Sequence, residues 1–253
     1  MIRVAAAGDL HVGPESAGKY REHLHGIADH ADVFLMAGDL TRHGTLEEGR
    51  VAAGELRDLG IPVIAVLGNH DYHSDLEAEM ADVLREAGVT VLEGDGTVVE
   101  CDGVRFGVAG GKGFGGGFEG KCAGEFGEAA MKEFVRHTKD FSARLGTALL
   151  ELDADVRVAL THYSPVEDTL EGEPLEIYPF LGSYLMGEAI DAAGADLAVH
   201  GHAHKGTEKG LTQGGVRVRN VALPVLQHAY ALYRLETPAS AGAGRVEERM
   251  SAR

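Results

Sequence analysis

Ala6-Ala7-Gly8-Asp9-Leu10-His11, Met36-Ala37-Gly38-Asp39 and Val66-Leu67-Gly68-Asn69-His70-Asp71 close three apolar runs in the same way, with a glycine and then a polar, oxygen-bearing residue. The runs themselves, Val4 to Gly8, Asp32 to Ala37 and Pro62 to Leu67, have the length and composition of buried strands. Between them, Lys19 to His30 and Leu46 to Leu59 carry helical periodicity. A βαβαβ alternation of this kind predicts a parallel sheet with helices packed on it through right-handed crossovers. Asp9, Asp39 and Asn69 follow one another at intervals of 30 residues, about one βαβ step. Parallel strands therefore deliver all three to the carboxyl edge of the sheet, where open α/β sheets bind ligands.

Working outward, Asp75 to Ala87 reads as a helix with Ser74 as its N-cap. Val89 to Leu92, Thr97 to Glu100 and Val104 to Val108 read as short strands. The breaks between them, Gly94-Asp95-Gly96 and Asp102-Gly103, are hairpin signals that predict antiparallel pairing in a second sheet or sheet edge. Gly110 to Phe118 is rich in glycine but lacks the Gly-Lys-Ser/Thr ending of a nucleotide P-loop, and reads either as a rim loop of a site or as a connector. Glu128 to Leu152 is a long helix, Val156 to Leu160 a strand, and Tyr163 to Gly182 a loop of functional length. Ala189 to Ala193 ends a helix and Leu197 to His200 is a strand. Val216 to Val221 and Ala229 to Leu235 are expected as antiparallel strands. Residues 1–236 form one expected domain, and 237–253, opening on Thr237-Pro238-Ala239-Ser240, a weakly ordered tail.

Composition narrows the partners. The 253 residues include 44% hydrophobic residues and a formal net charge of −17, a balance that supports a globular core and opposes binding to a long phosphate backbone. No long nucleic acid and no membrane are therefore expected as partners. No apolar run reaches the length of a transmembrane helix, and the opening tract is too short for a signal peptide, so a cytoplasmic location is expected. Cys101 and Cys122 are expected as free thiols.

Ligand-type residues recur at five strand ends. His11 lies two places after Asp9, His70 and Asp71 follow Asn69, His162 follows the Val156 strand, and His202 and His204 follow the Leu197 strand. Residues two apart in extended chain point the same way, so Asp9 with His11, and His202 with His204, can each grip a cation as a pair. One histidine at a strand end is ordinary, but five ligand-bearing ends in one sequence point to a metal centre.

The ordered series Asp9-Leu10-His11, Gly38-Asp39, Gly68-Asn69-His70-Asp71, His162 and Gly201-His202-Ala203-His204 resembles the five-block signature of the calcineurin-like metallophosphoesterases. The resemblance implies an α/β protein, a four-layer α/β/β/α sandwich of two mixed sheets flanked by helices. It implies two divalent ions, Mn, Fe or Zn, with Asp9, His11 and His204 on the first, Asp39 bridging, and Asn69, His162 and His202 on the second. His70 would face the substrate and act on the leaving oxygen, with Asp71 orienting its ring. The reaction implied is hydrolysis of a phosphoester by in-line attack of a hydroxide held between the ions. Two dications against two carboxylates leave about +2, which attracts a phosphate.

The blocks are most similar to the bacterial branch that includes cyclic nucleotide phosphodiesterases and glycerophosphodiesterases, which favours a small phosphodiester. The protein phosphatase branch carries Asp-Arg-Gly where this sequence has Leu40-Thr41-Arg42-His43-Gly44, and the nuclease branch usually adds a capping portion that is absent here. A phosphomonoester, a nuclease substrate or a non-enzymatic scaffold are the alternatives. Arg42, His43, Tyr72, His73, Lys112, Tyr163 and Tyr178 are the candidate specificity residues. The acidic stretch Glu171-Gly172-Glu173-Pro174-Leu175-Glu176 favours a small substrate over a polyanion.

Overall fold

Side-chain alternation along the strands generates the layers. In Ile2–Ala7, Val4 and Ala6 face one way and Ala5 and Ala7 the other. In Val33–Ala37, Val33 and Leu35 oppose Phe34 and Met36, and in Val63–Val66, Ile64 and Val66 oppose Val63 and Ala65. The outward set packs on Ala52 and Leu56 of the helix Leu46–Leu56 and on Met80 and Leu84 of the helix Glu77–Glu86. The inward set meets Phe106, Val108, Val156, Val158, Leu197 and Val199 of a second sheet. That second sheet turns Ala109, Ala159 and Ala198 outward against Phe141 and Leu145 of Ala129–Glu151 and Met186 and Ile190 of Tyr184–Ala193. Three apolar cores thus separate four layers, helix, sheet, sheet, helix, as expected for the α/β/β/α sandwich.

The computed structural model describes residues 1–237 and the backbone of the strand Met250–Ser251. The first sheet runs in the order Met250–Ser251, Ala231–Leu235, Ile2–Ala7, Val33–Ala37, Val63–Val66, Val89–Leu92. Its last four strands are mutually parallel and Ala231–Leu235 is antiparallel to Ile2–Ala7. The second sheet runs Lys209–Leu211, Arg217–Asn220, Leu197–His200, Val156–Thr161, Val104–Gly111, Asp95–Cys101, with parallel pairing at its centre and antiparallel pairing at both edges. Both sheets are mixed. The parallel strands of each end at the same rim of the sandwich, which is where the polar residues of the strand ends gather.

Several expectations need correction. Lys19 to His30 is not one helix: Arg21–Leu24 is a 3-10 turn, and Gly26, at φ 75°, breaks the ladder before the single turn Ile27–His30. Ser74 does not cap the next helix; its hydroxyl donates to the His43 carbonyl, and the N-cap position is Leu76. Asp102-Gly103 does close an antiparallel hairpin, but Gly94-Asp95-Gly96 carries the chain from the first sheet to the second. Arg217–Asn220 and Ala231–Leu235 lie in different sheets and do not pair with each other. The Tyr163–Gly182 segment contains the 3-10 turns Asp168–Leu170 and Leu175–Ile177 and the short helix Tyr178–Leu181. The expected loose tail falls mainly on 238–249 and 252–253, outside the described residues; Thr237 is buried and Met250–Ser251 pairs with Ala231–Leu235. Both cysteines are free thiols. Among the described residues no helix is long and apolar enough to cross a membrane.

Candidate metal centre

Asp39 stands between two groups of side chains. Asp9, His11, Asp39 and His204 bring their ligand atoms within 4.8 Å of one another, and so do Asp39, His162 and His202. Around the Asp39 carboxylate, His11 Nε2 is 3.6 Å from one oxygen and His162 Nε2 is 3.3 Å from the other. Asn69 Oδ1 lies 2.9 Å from His162 Nε2, so it faces the second group. All seven residues expected as ligands therefore converge on the one rim.

Sequence and backbone explain how they get there. The turns after the first two strands cross-link, because Asp9 N–H donates to Gly38 O and His11 N–H to Asp39 O. Asp9, His11, Asp39 and His202 all have positive φ, 59°, 46°, 50° and 70°. Non-glycine residues are uncommon there, and the conformation costs of order 1–3 kcal/mol each. Close approach also demands glycine: a Cβ on Gly68 would sit 2.1 Å from Asp39 Oδ1, and one on Gly201 2.2 Å from Asp9 Oδ2. Gly68 and Gly201 are thus packing requirements of the carboxylates.

The donor set fits divalent cations. His11 Nε2 is buried with no hydrogen-bond partner, an atom left for an electrophile. Asp9 and Asp39 are both buried carboxylates, which require compensating positive charge. His162 donates Nδ1–H to the Ala37 carbonyl at 2.8 Å, which fixes its ring and turns Nε2 toward Asp39 and Asn69. Burial opposes a charge on His162, but Asp39 outweighs it and raises the imidazole to about 9. Asp39 is held well below the usual carboxylate range, because His162 and a hydrogen bond from the His70 N–H overcome its burial. His204, bonded to Asp9 at 2.8 Å, is raised mainly by that hydrogen bond. His11 and His202 are both lowered by burial, the latter to about 3, so both are neutral nitrogen donors.

The sequence matches the profile of the calcineurin-like phosphoesterases over residues 2–206. The chain belongs to this family. Among solved structures, this calcineurin-like phosphoesterase resembles the phosphopantetheinyl hydrolase of Mycobacterium tuberculosis at 16% identity, with a TM-score of 0.63 over 87% of this chain and 88% of that one. A putative 5'-nucleotidase from Staphylococcus aureus aligns at 13% identity and a TM-score of 0.56, over 99% of this chain and 54% of that one. GAP50, the anchor in the inner membrane complex of Plasmodium, aligns at 10% identity and a TM-score of 0.54, over 92% of this chain and 80% of that one. At these identities the likeness is one of fold. No curated protein matches the sequence.

His70 packs its ring 4.5 Å from that of His11, at the edge of the first group. The partner expected for it does not reach it. The Asp71 carboxylate, fully buried, accepts from the backbone N–H groups of Leu40, Thr41 and Gly68 and from the Thr41 hydroxyl. The His70 ring is held instead by donating Nδ1–H to the Arg42 carbonyl at 2.7 Å. Adjacent side chains leave the backbone in different directions, so sequence proximity does not give contact. Asp71 fastens the turn after the second strand to the turn after the third, and Arg42 O holds the His70 ring through Nδ1.

The specificity candidates divide. The Arg42 guanidinium pairs with Glu15 at 2.6 Å and His43 with Glu48 at 3.0 Å. His73 lies near His43 and His70, at 6.1 and 6.5 Å between ring centroids. Tyr178 is buried in a small core and donates to Leu170 O. Tyr72, Lys112 and Tyr163 come together beside His202. Sequence reading missed the role of Phe180, whose carbonyl lies 3.3 Å from His202 Nε2, and of His200. His200, fully buried, bonds the Thr169 hydroxyl and the Gly201 carbonyl and ties the 163–182 segment to the His202 turn. A histidine directly before Gly201 was its only signal.

Proposed function

We propose that this calcineurin-like phosphoesterase is a two-metal hydrolase of small phosphoesters, with a phosphodiester favoured. The observation that carries the reading is the sharing of Asp39 between two donor groups, one of which holds a buried, unpartnered imidazole nitrogen. Asp9, His11 and His204 would hold one ion, Asn69, His162 and His202 the other, and Asp39 both. Bound ions would supply Lewis acidity toward the phosphoryl oxygens and activation of water near neutral pH.

The chain's own residues do the rest. Neutral His11 and His202 offer lone pairs at once, while His162 and His204 would turn to the ions the Nε2 atoms that face Asp39 and Asp9. His70, with Nδ1–H committed to Arg42 O and its ring beside the first group, has Nε2 left to donate a proton to a departing alkoxide. The 163–182 segment borders the second group through the Phe180 carbonyl. The order and spacing of the blocks support the diester. The likeness to a 5'-nucleotidase supports a phosphomonoester as second reading.

Steady-state kinetics on bis-nitrophenyl phosphate and nitrophenyl phosphate, Mn-loaded and chelated, test the reading. Hydrolysis abolished by the chelator is expected, with kcat/KM at least tenfold higher for the diester, about 1.4 kcal/mol in transition-state binding. His70→Ala should keep both ions and lose about 10²-fold or more in kcat. Chelator-insensitive silence on both substrates would refute the enzyme and favour a scaffold.

A further inference from the structure

Lys112 is a buried cation with no carboxylate in direct ion-pair contact; Glu93, the acid that acts on it most strongly through space, accepts instead from the Lys112 backbone N–H and the Tyr72 hydroxyl. The lysine is 9% exposed, it forms no ion pair among the described residues, and its ammonium's one hydrogen-bond contact is the Gly113 carbonyl at 3.4 Å. Three aromatic faces enclose the ammonium instead, Tyr72 at 4.7 Å, Phe114 at 5.1 Å and Tyr163 at 5.4 Å. Such faces attract a cation and favour its retention as a charge inside the protein. They leave the ammonium's hydrogen-bonding capacity largely unused, and a buried charge in that state is costly unless something pairs with it.

Its place in the fold joins it to the metal centre. Lys112 directly follows the strand Val104–Gly111, which lies parallel to Val156–Thr161, so it emerges at the same rim as His162. Its carbonyl accepts from the N–H groups of both His162 and Tyr163, at 3.0 Å each. The Tyr163 ring packs 4.3 Å from the His202 ring, so the cation lies one aromatic ring beyond a ligand of the second ion. Burial lowers the Lys112 ammonium, while the carboxylates of Glu93, Asp39 and Glu77 act in the opposite direction through space. Phe114 continues the apolar wall to Phe134, 5.1 Å away, and Phe134 to Phe180, 6.3 Å away. That wall suits the carbon skeleton between two charged groups.

We propose that Lys112, in its cage of Tyr72, Phe114 and Tyr163, is the specificity-determining cation of a substrate subsite beside the second donor group and pairs with a second anionic group, a carboxylate or phosphate, borne by the substrate apart from the scissile phosphoryl. The proposal rests on the two-metal reading for the place of the scissile group. It makes the preferred substrate a phosphoester with at least two separated anionic groups, and it explains why the lysine ammonium is kept in an aromatic cage with no carboxylate of the protein paired to it directly.

The test is calorimetric binding of butylphosphonate and 4-phosphonobutanoate to the Mn-loaded full chain, compared with Lys112→Met. The two ligands share a phosphonate and a four-carbon chain and differ by the terminal carboxylate. The wild type is expected to bind 4-phosphonobutanoate at least tenfold more tightly, and Lys112→Met to erase that advantage while butylphosphonate stays within twofold. An advantage that survives Lys112→Met, or none in a wild type that binds butylphosphonate, overturns the subsite and leaves the metal reading standing. A wild type that binds neither phosphonate overturns the metal reading and the subsite with it. If Lys112→Met binds neither ligand, the ¹H–¹⁵N resonance of the Lys112 ammonium in the wild type decides: a shift with 4-phosphonobutanoate alone supports the pairing, and equal responses to both ligands overturn it.

Discussion

Replacing Asp71 separates a residue that holds the site together from one that takes part in proton transfer. Its carboxylate accepts four hydrogen bonds, from Leu40 N at 3.1 Å, Thr41 N at 2.8 Å, Thr41 Oγ1 at 2.6 Å and Gly68 N at 2.8 Å. Asp71→Ala strands three buried backbone amides. A buried unsatisfied donor costs about 1–3 kcal/mol, and since the hydroxyl can turn and the loops relax in part, a net loss of about 3–5 kcal/mol is expected. Against a total stability of about 5–15 kcal/mol, that variant is marginal, so Asp71→Asn is the informative one. The amide keeps one acceptor oxygen, leaves two of the four donors unpaired, and is expected to cost about 2–4 kcal/mol. Urea unfolding of chelated protein should be run at pH 8, where the Asp71 carboxyl, pushed up to about 6 by burial and then by Asp39, is ionised. Metal stoichiometry and kcat/KM on the diester complete the assay. The expected outcome for Asp71→Asn is lower stability, both ions retained and kcat/KM within about tenfold of wild type. A variant with unchanged stability and full metal but kcat/KM down by about 10²-fold or more would refute this reasoning and restore Asp71 as a partner of His70.

Gly68→Ala and Gly201→Ala should each disturb a carboxylate directly, since the new Cβ would stand 2.1 Å from Asp39 Oδ1 or 2.2 Å from Asp9 Oδ2. Metal titration should show weakened binding at both ions for Gly68→Ala and chiefly at the first for Gly201→Ala; unchanged affinity would show that the turns can give way. Away from the site, the Asp32 carboxylate accepts from Arg3 N, Nε and one terminal nitrogen at 2.7, 3.1 and 2.6 Å. Burial acts to raise this carboxyl, but the Arg3 hydrogen bonds and charge prevail and lower it. A depressed folded value stabilises the protein above the unfolded value of about 3.9 and ceases to do so as the pH falls through the folded value. Arg3→Met should therefore remove about 1 kcal/mol at pH 7 and little near pH 2, a convergence to be read from urea midpoints; a pH-independent difference would assign the effect to packing alone.

The residues that gather at the rim were legible because strand periodicity and the spacing of 30 between Asp9, Asp39 and Asn69 carry positional information. Parallel strands end at one rim, and a polar residue just past each end has nowhere else to go. What sequence could not give is the direction of side chains on turns. Asp71 stands next to His70 in the chain yet bonds backbone amides 30 and 31 residues earlier, and Ser74, a good N-cap by type, bonds His43 instead. Lys19 to His30 has the residues of a helix, but Gly26 at φ 75° decides otherwise.

The left-handed turns at Asp9, His11, Asp39 and His202 expose a deeper limit. Propensity disfavours that conformation at each of these residues, so local reasoning fails where the candidate chemistry is. The conformation persists because the surroundings over-determine it. The core between the sheets anchors the strands on which these turns sit, Gly68 and Gly201 open the space that the carboxylates enter, and Asp71 pins two of the turns together. A sequence position reports which atom is offered, but the cost of offering it is borne by residues elsewhere in the chain, such as Ile64 or Val158, whose identity looks like ordinary core.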